Sequence, residues 1–406
     1  MAHVAIVTSG HFCTNPRVWR EADALSGRGH DVAVVGVSFD PAQAALDREM
    51  LATRRWRLRV AADLTGDAPA RRLARTWHRA RTRLGKALVR RGVGSPHALG
   101  YAVPRLLAAA RAEQAALTIV HLEPALWVAT RLIRDGRRVG VDVEDWYSEN
   151  DDGSAEANAA QRRMLRRLEA DVLRHAVHRT ATSDAMASAL VDAYGCPRPL
   201  TISNASATRP FRPAPSDAAL RLVWFSQTLG AGRGVEDLCA ALPLLRGAWQ
   251  VEIRARASEA AVAWLRNLVP AALWPRVHVE PVVAPDELPA VVAAHDVGLA
   301  LESPRFRNKD VTASNKVFEY LQNGLRVAAS ATAGQQEVLS RVSGAGAAYR
   351  SGDAAGLAEL LNGWIAGRDA LRADRARLHR DANAALAYEH QTDRLVASVE
   401  AAIGSR

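Results

Sequence analysis

Apolar and polar positions follow one another along this chain in two rhythms. Short continuous apolar runs at residues 4–7, 32–37, 117–121, 138–142 and 200–202 read as strands buried on both faces. Between them, apolar positions recur every three or four residues, which is the period of a helix with one face inward. Residues 16–27 form one such helix, with Val18, Ala22 and Leu25 on its stripe and Gly27 and Gly29 as its stop. Further helices are predicted over 68–91, 104–115, 124–134, 161–178 and 184–194, and a short strand over 180–182. Strand, helix and strand within 37 residues make a βαβ unit, which implies a parallel sheet with helices on both faces.

Pro210, Pro213 and Pro215 then break regular structure, and a second series of the same kind follows. Its strands are expected over 220–225, 250–254, 277–279, 297–301 and 325–329, with helices over 235–245 and 286–294 and from Ser314 to Asn323-Gly324. Helices near 354–365, 368–386 and 391–403 close the chain. The fold class is therefore α/β, with two doubly wound, Rossmann-like parallel-sheet domains. Their bounds are expected at 1–209 and 217–386, leaving 387–406 as a terminal helix.

Composition narrows the function classes. A hydrophobic share of 49% with 24% charged residues describes a globular chain, and 406 residues exceed one ordinary core. Cys13, Cys196 and Cys239 lie far apart, so neither a disulfide framework nor a cysteine zinc site is expected. No apolar run reaches a membrane-spanning length, and the first strand carries no signal-peptide cleavage region, so a reducing, cytoplasmic location is expected. The formal charge of +10 favours anionic partners. Residues 71–91 concentrate it, with Leu73, Trp77, Ala80, Leu84 and Leu88 at helical spacing. An arginine-faced surface helix explains that segment, and so does peripheral contact with an anionic membrane. Trp77 is its one aromatic, too few for base stacking, and nucleic acid is not expected as a partner.

The candidate chemistry gathers in residues 301–337. A basic loop with Arg305, Arg307 and Lys309 feeds a helix that Ser314 can cap. Free N–H groups and the helix dipole favour phosphate at such a place. Of 53 basic residues only Lys86, Lys309 and Lys316 are lysines, and two of the three stand beside this helix. A compact ammonium suits a point contact with phosphate. Upstream, Gly230-Ala-Gly-Arg233-Gly234 makes a glycine-rich turn in which Gly232 and Gly234 let the backbone approach a diphosphate and Arg233 can grip it. Glu319 is placed to accept bonds from sugar hydroxyls. No Asp-x-Asp metal pair stands at a predicted nucleotide edge, and no metal or cofactor is expected.

These motifs carry a resemblance. Residues 15–25, Asn-Pro-Arg-Val-Trp-Arg-Glu-Ala-Asp-Ala-Leu, with His30-Asp31-Val32, resemble the opening of the large family-four group of GT-B glycosyltransferases. Gly232-Arg233-Gly234 resembles their phosphate turn. The run from Ser314 to Val327, with Gly334 and Glu337 after it, resembles their nucleotide-sugar signature. The resemblance implies two Rossmann-like domains facing across a cleft, a donor site in the second, an acceptor site in the first and a last helix that crosses back. It also implies retention of anomeric configuration without a metal. The donor, a nucleoside-diphosphate sugar of UDP or GDP type, would be held by Arg233, Lys309, Ser314, Asn315, Lys316 and the hydroxyl-binding Glu319. Two positions depart from the family's pattern. Val311 stands where many relatives have a glutamate eight residues before Glu319, and Glu144 and Asp145 stand where relatives tend to have a histidine.

On the acceptor side, the turn with Ser9, Gly10, His11, Asn15 and Arg17 ends the first strand, where ligands of such sheets bind. An acidic loop with Glu144, Asp145, Glu149, Asp151 and Asp152 follows the strand that ends at Asp142, and Trp146 and Tyr147 add flat faces. A solvated loop that balances Arg137, Arg138 and Arg162 accounts for this pattern, and so does an amine-bearing acceptor such as an aminocyclitol or aminosugar of natural-product biosynthesis, with Glu144 or Asp145 available as a base. A lipid-linked or polysaccharide acceptor of the cell envelope is the alternative. A nucleotide-sugar epimerase would use the donor site without an acceptor, and a ligand-binding regulator would bind without turnover.

Overall fold

The computed structural model describes residues 1–66, 68–150, 155–213 and 218–404. Asp151, Asp152 and Pro215 of the readings above lie outside these residues. The chain divides into two compact units, Met1–Ile202 with Gln391–Arg406, and Ser203–His390. No helix among the described residues is long and apolar enough to cross a membrane.

The first unit is a sheet of seven strands: β1 (His3–Thr8), β2 (Asp31–Ser38), β3 (Arg57–Asp63), β4 (Leu117–His121), β5 (Val139–Val143), β6 (His178–Ala181) and β7 (Leu200–Thr201). They lie in the order β3-β2-β1-β4-β5-β6-β7, all parallel. Chain order reverses between β1 and β4, where Thr8 is level with His121, and His121 in turn with Asp142 on β5. Such a reversal opens a crevice at the carboxyl ends of the strands. Val396, Val399 and Ala402 of the last helix, Glu389–Gly404, pack into the core with Val4, Ile6, Val18 and Leu117.

The second unit has six parallel strands: β8 (Leu220–Thr228), β9 (Trp249–Arg256), β10 (Val277–Glu280), β11 (Val297–Ala300), β12 (Arg326–Ser330) and β13 (Gly346–Tyr349). Their order is β10-β9-β8-β11-β12-β13, so the reversal here falls between β8 and β11. The helix Asn315–Gln322 lies on β11 at very close range. A Cβ at Gly298 would stand 2.1 Å from Cγ of Tyr320, so only glycine lets that ring lie on the strand.

On the helix Pro69–Arg90, Leu73, Trp77 and Leu84 are 62%, 59% and 61% exposed. Its inward face is His78, Gly85 and Val89, because Gly85 lets the turn Pro96–Ala98 come so close that a Cβ would meet Ala98 N at 2.8 Å. The single helix expected over 368–386 is two, Arg368–Ala373 and Arg375–Leu386, with Asp374 between them bound to Arg326 and Arg377. The loop expected at 302–313 contains the short helix Arg307–Val311. After β12, Thr332 caps a further helix, Ala333–Ser340. Residues 203–209, ahead of the prolines, belong with the second unit, because Ser206 exchanges hydrogen bonds with Gln322 and Arg209 binds Glu319.

Candidate functional site

In the second unit the glycine-rich turn and the 301–337 stretch converge. The turn after β8 carries Gly232 and Gly234, both at φ 78°, a conformation that favours glycine. Gly234 packs on the end of β11: a Cβ there would meet Leu301 Cβ at 2.8 Å and Glu302 N at 3.2 Å. Arg233 between them is exposed, and its Nη1 donates to Ser226 Oγ at 3.1 Å. Glu302, directly after β11, is buried, and its backbone N–H donates to Ser330 Oγ at 2.9 Å.

Both site lysines meet on this carboxylate. Lys316 Nζ is 2.7 Å from Glu302 Oε1 and Lys309 Nζ is 3.8 Å from Oε2. Ser314, the cap of the helix Asn315–Gln322, also donates to Glu302 Oε1 at 3.1 Å, and its oxygen accepts from Lys316 N. Burial alone would raise the Glu302 carboxyl, but Lys316 and Lys309 hold it below the ordinary carboxylate range. Asn315 is exposed at the first position of the helix. Glu319, one turn on, accepts from Arg209 and, at 3.1 Å, from Asn323 Nδ2. Gly334 seats the next helix, since a Cβ there would stand 2.5 Å from Thr312 C, while Glu337 pairs with Arg341. Val311, at the departing position, is buried. Glu302 and Arg209 escaped the reading from sequence. Glu302 left one signal, a carboxylate closing a buried strand just ahead of two rare lysines.

In the first unit, the crevice between β1 and β4 is filled by charge. Arg17 donates to Asp142 through Nε (2.6 Å, to Oδ2) and Nη2 (2.5 Å, to Oδ1), and through Nη1 to the Ile202 carbonyl. Asn15 caps the helix Pro16–Gly27 with its oxygen and donates through Nδ2 to Glu144 Oε1 at 2.6 Å. Fully buried His121 donates from Nε2 to Glu21 at 2.8 Å and from Nδ1 to Glu144 at 3.0 Å, with Asp142 3.3 Å away. Burial opposes its charge, yet these carboxylates raise His121 well above the ordinary histidine value, so it is an imidazolium. Burial likewise pushes Asp142 up, but Arg17 and His121 hold it well below the carboxylate range. His178 nearby is pushed down by burial. Donor atoms of His121, Asp142 and Glu144 lie within 4.8 Å of one another, a spacing a cation could use. Arg17 and Asn15 already occupy Asp142 and Glu144 of this group.

The acceptor candidates therefore separate. Ser9 and Gly10 are half-buried at the end of β1. His11 is buried: Nε2 accepts from Phe39 and Asp40 N–H, so Nδ1 carries the hydrogen it donates to Asp47 at 2.6 Å. It ties two turns together and offers no nitrogen to a ligand. Trp146 is fully buried, edge-on to Tyr194 and donating to its hydroxyl at 2.8 Å, so it presents no flat face. Tyr147 packs beside Val89 and Met164, with its hydroxyl enclosed. Glu149 pairs with Arg166. Asp145 is half-buried in the same loop. Glu21 and His121 were missed by sequence reasoning, because only the register of β4 and β5 brings His121 level with Asp142.

No protein-family model matches the chain, and no curated protein sequence matches it. Solved structures do match over the full length. Anabaena HepE in complex with UDP and glucose superposes with a TM-score of 0.71 at 16% identity, covering 99% of this chain and 100% of that one. Sucrose-phosphate synthase from Thermosynechococcus elongatus gives 0.70 at 15% identity, covering 99% and 100%. The lipopolysaccharide outer core galactosyltransferase WaaB gives 0.58 at 13% identity, covering 98% and 99%. With its two parallel sheets and these full-length likenesses, the chain has the GT-B fold, as the resemblance in its motifs implied.

Proposed function

We propose that this protein is a retaining glycosyltransferase that takes its sugar from a nucleoside-diphosphate donor bound in the second unit. One observation carries the reading. Lys309 and Lys316, two of three lysines in the chain, meet on Glu302 at the end of β11, against the turn that bears Arg233. Three cations and the N–H groups of the helix Asn315–Gln322 would stabilise a leaving diphosphate by fixed electrostatics. The C1–O bond of the sugar breaks with its electron pair going to the phosphate. The acceptor's oxygen or nitrogen bonds to C1 and passes its proton to the departing phosphate oxygen. Glu319, oriented by Arg209 and Asn323, is suited to the ribose hydroxyls. HepE, solved with UDP-glucose, supports a UDP-sugar as donor.

The acceptor has two supported classes. In the buried cluster Arg17 and His121 oppose Glu21, Asp142 and Glu144, so two cations against three carboxylates leave one net negative charge, which favours an amine-bearing acceptor. The exposed apolar stripe of the helix Pro69–Arg90 favours a lipid-linked one. Nucleoside diphosphate release is measured with each donor, first without acceptor and then with amino, neutral and lipid-linked sugars. Release that requires an acceptor, together with a glycosylated product, supports the transferase. A sugar isomerised without acceptor would assign an epimerase, and binding without turnover a regulator.

A further inference from the structure

We propose that the helix Pro69–Arg90 is a docking surface for an anionic lipid bilayer. The helix has 22 residues, and its buried side is used up by His78, Gly85 and Val89 packing toward the turn Pro96–Ala98. On the side turned to solvent, Leu73, Trp77, Ala80 and Leu84 follow one another at spacings of four, three and four residues, a single stripe along the axis. Large apolar side chains this exposed, and in line, mark a surface that meets something apolar.

Charge says what covers it. From residue 68 to residue 112 the chain contains no Asp or Glu. Arg71 and Arg75 are turned inward, onto the Thr65, Leu64 and Gly66 carbonyls. Arg79, Arg83, Lys86 and Arg90 stay exposed beside the stripe, and Arg81 lies 5.3 Å from the Trp77 ring centre. An apolar protein groove would match the stripe but not this fence of cations, and a nucleic acid would match the cations but not the leucines. A bilayer of anionic lipid matches both, with the stripe in the headgroup–acyl boundary and the cations among the phosphates. The inference does not depend on the reaction the protein catalyses.

The test is co-sedimentation of the full chain with vesicles of phosphatidylcholine alone and of two parts phosphatidylcholine to one part phosphatidylglycerol. Partitioning should be about tenfold or more stronger onto the anionic vesicles and should weaken in high salt. The triple variant Leu73→Ser, Trp77→Ser, Leu84→Ser should lose about tenfold or more of that binding while melting as the wild type does, since the three side chains support no core. The proposal is overturned if the anionic vesicles are not bound, or if the triple variant binds them as well as the wild type. Tighter binding to single-stranded RNA than to vesicles overturns it too, as does a dimer that the triple variant dissolves in the absence of lipid.

Discussion

His121 is buried with carboxylates at both ring nitrogens, and its charge is what keeps three acids and an arginine together at the end of the first sheet. Removing one partner from such a buried set typically costs about 3–5 kcal/mol, so His121→Gln should destabilise the protein strongly near neutrality. The pH signs of the two main groups are opposite. His121 has its folded value raised above 6.5, so its stabilisation is complete below 6.5 and is lost as pH climbs through the raised value. Asp142 is held below 3.8, so its contribution is present above 3.8 and is lost as pH falls through the depressed value. Denaturant unfolding across pH should show a gap between wild type and His121→Gln that is constant from above the carboxylate range up to 6.5 and narrows on the alkaline side. A gap that instead widens with rising pH would mean the ring is neutral in the fold. This cluster was not legible in the sequence. Its members are separated by up to 127 residues (Arg17 to Glu144), and strand register brings His121 level with Asp142. The acidic loop was read as facing a ligand because the sequence does not say that Arg17 and Asn15 face it first.

At the scale of elements, strands buried on both faces announced themselves as apolar runs, whereas β3 and β13 did not. β3 is an edge strand whose Arg57 and Arg59 reach Glu113, and it has no continuous apolar run to read. β13 begins at Gly346, whose φ of 141° and near contact with Val327 allow the pairing with β12, and glycine reads as a breaker. The helix Pro69–Arg90 was legible as an element but its inward face was not. Gly85, not the leucines, decides which side can approach the neighbouring turn. The helix Asn315–Gln322 depends on a similar glycine. Gly298→Ala would drive a methyl into the Tyr320 ring, and overpacking of this kind costs about 1–3 kcal/mol. A lowered midpoint in a thermal melt, with nucleotide binding weakened as the helix shifts, is the expected outcome. An alanine variant as stable as the wild type would show that the ring is free to move away.

At the scale of the whole molecule, two sheets of the same plan reverse chain order at β1/β4 and at β8/β11, and the segments singled out for chemistry lie at those two places. Repeated βαβ rhythm made this plan legible in the sequence. The signature of the proposed donor site is legible as well, because it is local: a glycine turn, a capped helix and two scarce lysines. The Glu302 counter-charge between those lysines was not, because it depends on how β11 ends against the turn after β8. The central claim is that this convergence holds a nucleoside diphosphate. Calorimetric titration of the full chain with UDP and GDP, beside a Lys316→Ala variant, tests it most directly. A charge-assisted contact is worth about 1.5–3 kcal/mol, so one of the two nucleotides should bind the wild type about ten- to a hundredfold more tightly than the variant. Neither nucleotide binding the folded wild type, or equal affinity in the Lys316→Ala variant, would contradict it.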